Sequence, residues 1–183
     1  MIKVVTVKAR SNPSSGFTLV EVILSILLFG IIGILVVRVF LTGGKFYESV
    51  VNGQEISDNM FIALRRFNID TANIRDSQHI LYADNTRFLF IDSSLDTLQY
   101  RYAGGTLYRT VNSTGEFPIA QYLTDSTSFY YYNINEVAIT ENPVTSLSTI
   151  WSIRLKLVGT KGTRDLTLQS LKSPQNLKYG LVK

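Results

Sequence analysis

An apolar run from Phe17 to Leu41 constrains this chain more than any other feature. Its only charged residues are Glu21 and Arg38, and Val22 to Val37 is uncharged throughout. As a helix rising about 1.5 Å per residue, the run covers roughly 37 Å, more than a hydrocarbon core of about 30 Å. Gly30 and Gly33 lie inside it, where glycine permits close approach or local loosening. Lys3, Lys8 and Arg10 precede it, and no acid occurs before Glu21. The formal charge of +4 over 183 residues is therefore largely a property of the N-terminal tail. A cationic flank of this kind holds that end on the cytoplasmic side, and it is weak evidence for nucleic-acid binding.

Three readings compete for this run. A cleaved secretory signal has an apolar stretch of about 7–15 residues followed by a small-x-small site. The run here is longer and ends in Phe40-Leu41-Thr42-Gly43-Gly44. A plain single-span anchor accounts for the length and the basic flank. It leaves Glu21 unexplained, because a carboxylate well inside a bilayer costs about 2.5–3.5 kcal/mol, although snorkelling near the cytoplasmic end reduces this.

The third reading rests on the residues at the start of the run. Gly16-Phe17-Thr18-Leu19-Val20-Glu21-Val22, after a short basic leader, resembles the prepilin signal of type IV pilins and type II secretion pseudopilins. The resemblance implies that residues 1–16 are a leader, that prepilin peptidase cuts between Gly16 and Phe17, and that the new Phe17 amine is N-methylated. It also implies that Glu21 is the family's acidic position and that the partners are other pilin-like subunits. Cleavage on the cytoplasmic side keeps the apolar helix on the mature chain, so the small residue must precede the run. The amine of an adjacent subunit is then a partner for Glu21. Opposite charges attract strongly at low dielectric and one left alone is costly, so the pair would set axial register between helices.

Beyond the run, Thr42-Gly43-Gly44 suggests a hinge or helix break. Helical spacing then returns over Lys45–Ile74. Ile56, Met60, Leu64 and Phe67 share one face, which packs on the protein's own domain, while Asp58, Arg65 and Arg66 fall elsewhere. Asn68–Arg75 reads as a frayed end. The expected organisation is a membrane helix at 17–41, its extension at 42–76, a β-rich head at 77–171 and a loose C-terminal tail at 172–183.

In the head the period becomes two. Gln78–Ala83 and Arg87–Ile91 are short strands about an Asp84-Asn85-Thr86 turn. Leu98, Tyr100 and Tyr102 alternate with Gln99 and Arg101 before Gly104-Gly105, a hairpin signature. Phe117–Leu123, Ser128–Ile134 and Ala138–Asn142 are further strands. In Ile150–Val158, Trp151, Ile153, Leu155 and Leu157 face one way, and Arg164–Leu171 pairs with it across Gly159–Gly162. The fold class expected is α+β: a long N-terminal helix packed on an antiparallel sheet, as in the pilin-like fold. The strand order and aromatics are most similar to J-type minor pseudopilins and W-type minor pilins.

Residues for catalysis or metal binding are sparse. His79 is the single histidine and there is no cysteine, so no disulfide can support the fold. Asp92-Ser93-Ser94-Leu95-Asp96 lacks the glycine and terminal glutamate of a calcium loop and reads as a turn. Arg65-Arg66 is too short for a phosphate-binding patch. No enzyme activity and no cofactor are expected. The function expected is that of a minor pilin or pseudopilin subunit, anchored once in the cytoplasmic membrane with its head outside, then built into or priming the tip of a filament. Alternatives are a minor pilin for DNA uptake or adhesion, and a tethered binding domain that never polymerises.

Overall fold

The computed structural model describes residues 16–179. Residues 1–15, most of the expected 1–16 leader and all of its cations, lie outside the described residues. One helix, α1, runs from Leu19 to Ala72. The chain divides into two compact units, with the boundary between Phe46 and Tyr47.

In the first unit every residue of α1 from Leu19 to Phe46 except Ser25 is exposed, and the large apolar side chains are bare. The helix does not break at Gly43-Gly44, contrary to expectation. Glycine costs helix stability without forbidding the conformation, and the flanking runs of good helix formers carry it through.

In the second unit α1 is a core element. Ile56, Met60, Leu64 and Phe67 are buried, as their spacing predicts, and Asp58, Arg65 and Arg66 are exposed. The 68–75 segment is not frayed: Asp70, Thr71 and Ile74 are all buried. Two antiparallel sheets pack against the buried face of this half-helix. The first has the order β1 (Ile80–Ala83), β2 (Arg87–Ile91), β3 (Thr97–Ala103), β4 (Thr106–Val111), β5 (Glu116–Ala120). The second has the order β7 (Ala138–Ile139), β6 (Ser128–Tyr132), β8 (Ser152–Lys161), β9 (Arg164–Lys172). The fold is α+β, a long apolar N-terminal helix with antiparallel sheets, consistent with the pilin-like fold.

Phe67 joins the two sheets. Its ring lies 5.2 Å from Tyr100 of β3, edge-on, and 5.9 Å from Phe129 of β6. Edge-to-face pairs of this kind add about 0.5–1.5 kcal/mol beyond burial. In β3 the alternation is complete: Leu98, Tyr100 and Tyr102 are buried and their neighbours are not. The β3–β4 turn uses Gly104 and Gly105 at φ of 55° and 77°, the left-handed pair that a two-residue hairpin needs.

Gly159 is not in a turn. It lies inside β8, which continues to Lys161, and the turn to β9 is Gly162-Thr163. A Cβ at Gly159 would stand 3.1 Å from Met60 Sδ and 3.2 Å from Ile56 Cγ2. The glycine lets Met60 and Ile56 of α1 lie directly against the β8 backbone. Trp151 precedes β8 and is half-exposed, whereas Ser152 is buried, so the inward register starts at Ile153. The predicted strands after Phe117 and Ala138 end early, at Ala120 and Ile139. Nor is the C-terminal segment wholly loose. Gln175–Tyr179 forms a short helix, α2, with Leu177 buried and Asn176 Nδ2 donating to the Ile74 carbonyl at 3.0 Å.

Candidate functional site

The N-terminal motif occupies the first turn of α1. Gly16, Phe17 and Thr18 precede the helix and are exposed, Phe17 at 80%. The bond between Gly16 and Phe17 therefore stands outside the helical ladder. Thr18 is the N-cap: its carbonyl accepts the first helical hydrogen bond, from Val22 N–H at 3.2 Å.

Glu21 stands three residues on and closes a reciprocal pair. Its N–H donates to Thr18 Oγ1 at 3.3 Å, and its Oε2 accepts from the Thr18 N–H at 3.4 Å. This is a capping box, Thr-x-x-Glu, with rather long bonds. The carboxylate also sits at the positive end of the helix. Glu21 thus has donors in its own chain. Sequence reasoning assigned Glu21 only an intermolecular partner and missed Thr18, although Thr18-Leu19-Val20-Glu21 before an apolar run is a readable cap signature. One turn later Ser25 Oγ donates to the Glu21 carbonyl at 2.7 Å, so this hydroxyl is satisfied within the helix.

The 54-residue helix is long and apolar enough to cross a membrane, and its most apolar window has no buried residue. Around Gly30 and Gly33, nothing lies within 4 Å of a built Cβ. Both are free surface for a close neighbour.

In the head, the polar groups that sequence reasoning set aside are engaged structurally. Asp76 Oδ1 accepts from Gln78 N–H at 2.8 Å and lies 2.6 Å from His79 Nδ1. Burial works against the Asp76 charge, but these bonds hold its carboxyl below the usual range. Asp92 Oδ1 accepts from the N–H groups of Ser94 and Asp96, both at 2.9 Å, which makes the segment a turn. Among the described residues no group of acids or histidine is arranged to hold a metal ion.

Among the described residues the one buried acid is Asp70. Tyr100 Oη and Arg109 Nε each donate to its Oδ2 at 2.6 Å, and Arg66 Nε lies 3.3 Å from Oδ1. The cluster pins the last turn of α1 to β3 and β4. Burial, then the Asp70 charge, pushes the Tyr100 hydroxyl far above its ordinary range. Burial disfavours the Arg109 cation, yet its bonds to Asp70 prevail and its pKa is raised. The partners of the buried carboxylate all come from the protein itself, so the cluster reads as a staple between helix and sheet.

The prokaryotic N-terminal methylation motif, as a family model, matches residues 11–37. The match spans the Gly16–Glu21 signal and the apolar helix start, and it defines a prepilin-type signal of the kind carried by pilin-like proteins. It covers a small part of the chain and does not reach the head. No curated protein matches the chain.

Proposed function

We propose that this chain is a minor pilin or pseudopilin subunit, cut by prepilin peptidase between Gly16 and Phe17 and methylated at Phe17. The carrying observation is the methylation motif at residues 11–37, which runs into an apolar helix uncovered almost throughout its first part, Leu19 to Phe46. A helix bare on every side needs lipid or other helices around it. A single span in the cytoplasmic membrane supplies the first and a filament core supplies the second. Moving between them exchanges one apolar surrounding for another, so the transfer exposes little apolar area to water.

Glu21 has a role in each setting. In the lone subunit the capping box satisfies it. In the assembled form the freed amine of a neighbour replaces or supplements those long bonds and registers the two helices. Prepilin peptidase and sibling pilin-like subunits are the partners this reading requires, and it uses neither catalysis nor a cofactor.

Mass spectrometry of protein purified from membranes tests the processing. A mature chain beginning with N-methyl-Phe17 is expected. Recovery of active protein that retains residues 1–16, or that begins beyond Leu41, would refute the reading. Cysteine crosslinking along 22–37 tests assembly, and contacts with other pilin-like helices in cells are expected. Their absence would favour a tethered, non-polymerising binding domain.

A further inference from the structure

We propose that the open edge of β9 is a docking site for an extended segment of a different polypeptide, apolar at alternate positions and acidic at its ends. Every residue involved lies in the unit from Tyr47 onward, remote in sequence from the N-terminal processing signal.

A sheet edge is a row of unpaired backbone donors and acceptors, and proteins blunt edges they do not use. This head has four edges, β1 and β5 on one sheet, β7 and β9 on the other. Three are blunted. β1 has four residues and a shifted register against β2. β5 carries Pro118, which cannot donate, and its register against β4 also shifts. β7 has two residues. β9 differs: it has nine residues, no proline and an unbroken register with β8 from Lys161↔Arg164 to Ile153↔Lys172. Among the described residues its backbone bonds go only to β8.

The space beside that edge fits an added strand. Leu166, Leu168 and Ser170 are paired with Gly159, Leu157 and Leu155 and share their inward face. Next to them a groove runs between β9 and the flank of α1, lined by Phe61, Arg65, Asn68, Ile69, Leu168 and Ser170. Phe61 is 64% and Ile69 48% exposed. A strand bonded to β9 would place every second side chain in this groove, the arrangement by which added strands gain specificity.

Charge selects the occupant. Arg164 and Lys172 stand at the two ends of β9, and Arg65 lies beside the groove. None of the three is in an ion pair among the described residues, although Arg164 Nε donates to Ser49 Oγ of α1 at 2.8 Å. The strand's one acid, Asp165, accepts a bond from Thr160 Oγ1 at 2.8 Å. Pairing of β9 with a second copy of itself is disfavoured. In-register antiparallel pairing sets Arg164 against Lys172 at both ends, and parallel pairing sets each against itself. Like charges directly opposite destabilise a ladder. A foreign strand with acidic ends meets neither obstacle.

The test uses the full chain in detergent micelles and a synthetic peptide of about nine residues, with valine at alternate positions, threonine between, and glutamate at both ends. Amide hydrogen exchange is read along β9. The peptide is expected to slow exchange at alternate β9 amides at least about tenfold. Phe61→Ser, at an exposed position, should weaken binding at least about fivefold with the unfolding midpoint unchanged. The double variant R164E/K172E should prefer a lysine-ended peptide. Unaltered β9 exchange at millimolar peptide would overturn the proposal, as would equal binding of lysine- and glutamate-ended peptides by the unmodified chain. Protection that rises with protein concentration alone would make the occupant a second copy and overturn it too.

Discussion

Asp70 shows how one residue can decide whether a helix end is held. It sits in the final turn of α1, where the dipole disfavours an anion, and still it is buried. Two arginines and a tyrosine hydroxyl make that tolerable. Asp70→Asn removes the charge but leaves Arg109, 15% exposed, without its counterion. A loss of about 3 kcal/mol is expected in denaturant unfolding of the full chain in micelles. Tyr100→Phe keeps the ring against Phe67 and should cost less, about 1.5 kcal/mol. Asp84 offers a pH readout at the same scale. Burial raises its pKa, but the N–H groups of Thr86 and Arg87 and the Tyr82 hydroxyl outweigh that and depress it. A depressed carboxyl contributes stability above its unfolded value, and that contribution is lost as pH falls through the lower folded value. Stability should therefore decline as the solution is acidified below about pH 4, and Asp84→Asn should flatten that part of the profile. At Glu21 two substitutions separate capping from charge. Glu21→Gln keeps an oxygen for the Thr18 donors and loses the charge. If charge pairing with a neighbour's amine sets register, Gln and Ala variants should both insert and be processed yet assemble poorly, as read by crosslinking. Assembly of the Gln variant at the normal level would assign Glu21 to capping alone.

Among the elements, the crossing of α1 over β8 leaves no room for a side chain at Gly159. Gly159→Ala places a methyl against Met60, Ile56 and the Tyr122 carbonyl, and overpacking of this kind should cost about 1–3 kcal/mol, measured by unfolding midpoint. Gly162→Ala should also destabilise, since it combines a φ of 62° in the hairpin turn with a Cβ that would stand 3.1 Å from Asn52 Nδ2. Periodicity revealed much of this architecture in the sequence. The α1 stripe, β2, the β3–β4 hairpin and the β8–β9 pairing were all legible because each has one buried face and a regular repeat. Gly159 was misread because glycine in a strand and glycine in a turn look alike until the opposing helix is known. The helix through Gly43-Gly44 was misread because local propensity is weak beside cooperative extension. Asp70 looked like a solvated end residue, since its partners lie 30 and 39 positions away. The N-terminal motif was legible as a short local pattern, but its Thr18–Glu21 bonding required coordinates.

For the whole molecule, α1 serves both compact units. Its first part is uncovered, and its second part supplies Ile56, Met60, Ala63, Leu64 and Phe67 to the core. A chain shortened to begin at Tyr47 should keep a cooperative unfolding transition, because it retains that layer. One beginning at Asn73 should lose it, because both sheets then lack the face they pack on. Circular dichroism with thermal unfolding would report both. A folded head in the shorter chain would show that the sheets close on each other unaided.

The Asp70 cluster also has a mechanical meaning. Tension applied at Tyr47, along the part of α1 that belongs to the second unit, would meet a last turn bonded sideways to β3 and β4. The contacts around Phe67 and the bonds from Tyr100 and Arg109 would then be strained together in shear and not peeled off one after another. Pulled there, the head should resist as one piece, its helix and strands yielding together.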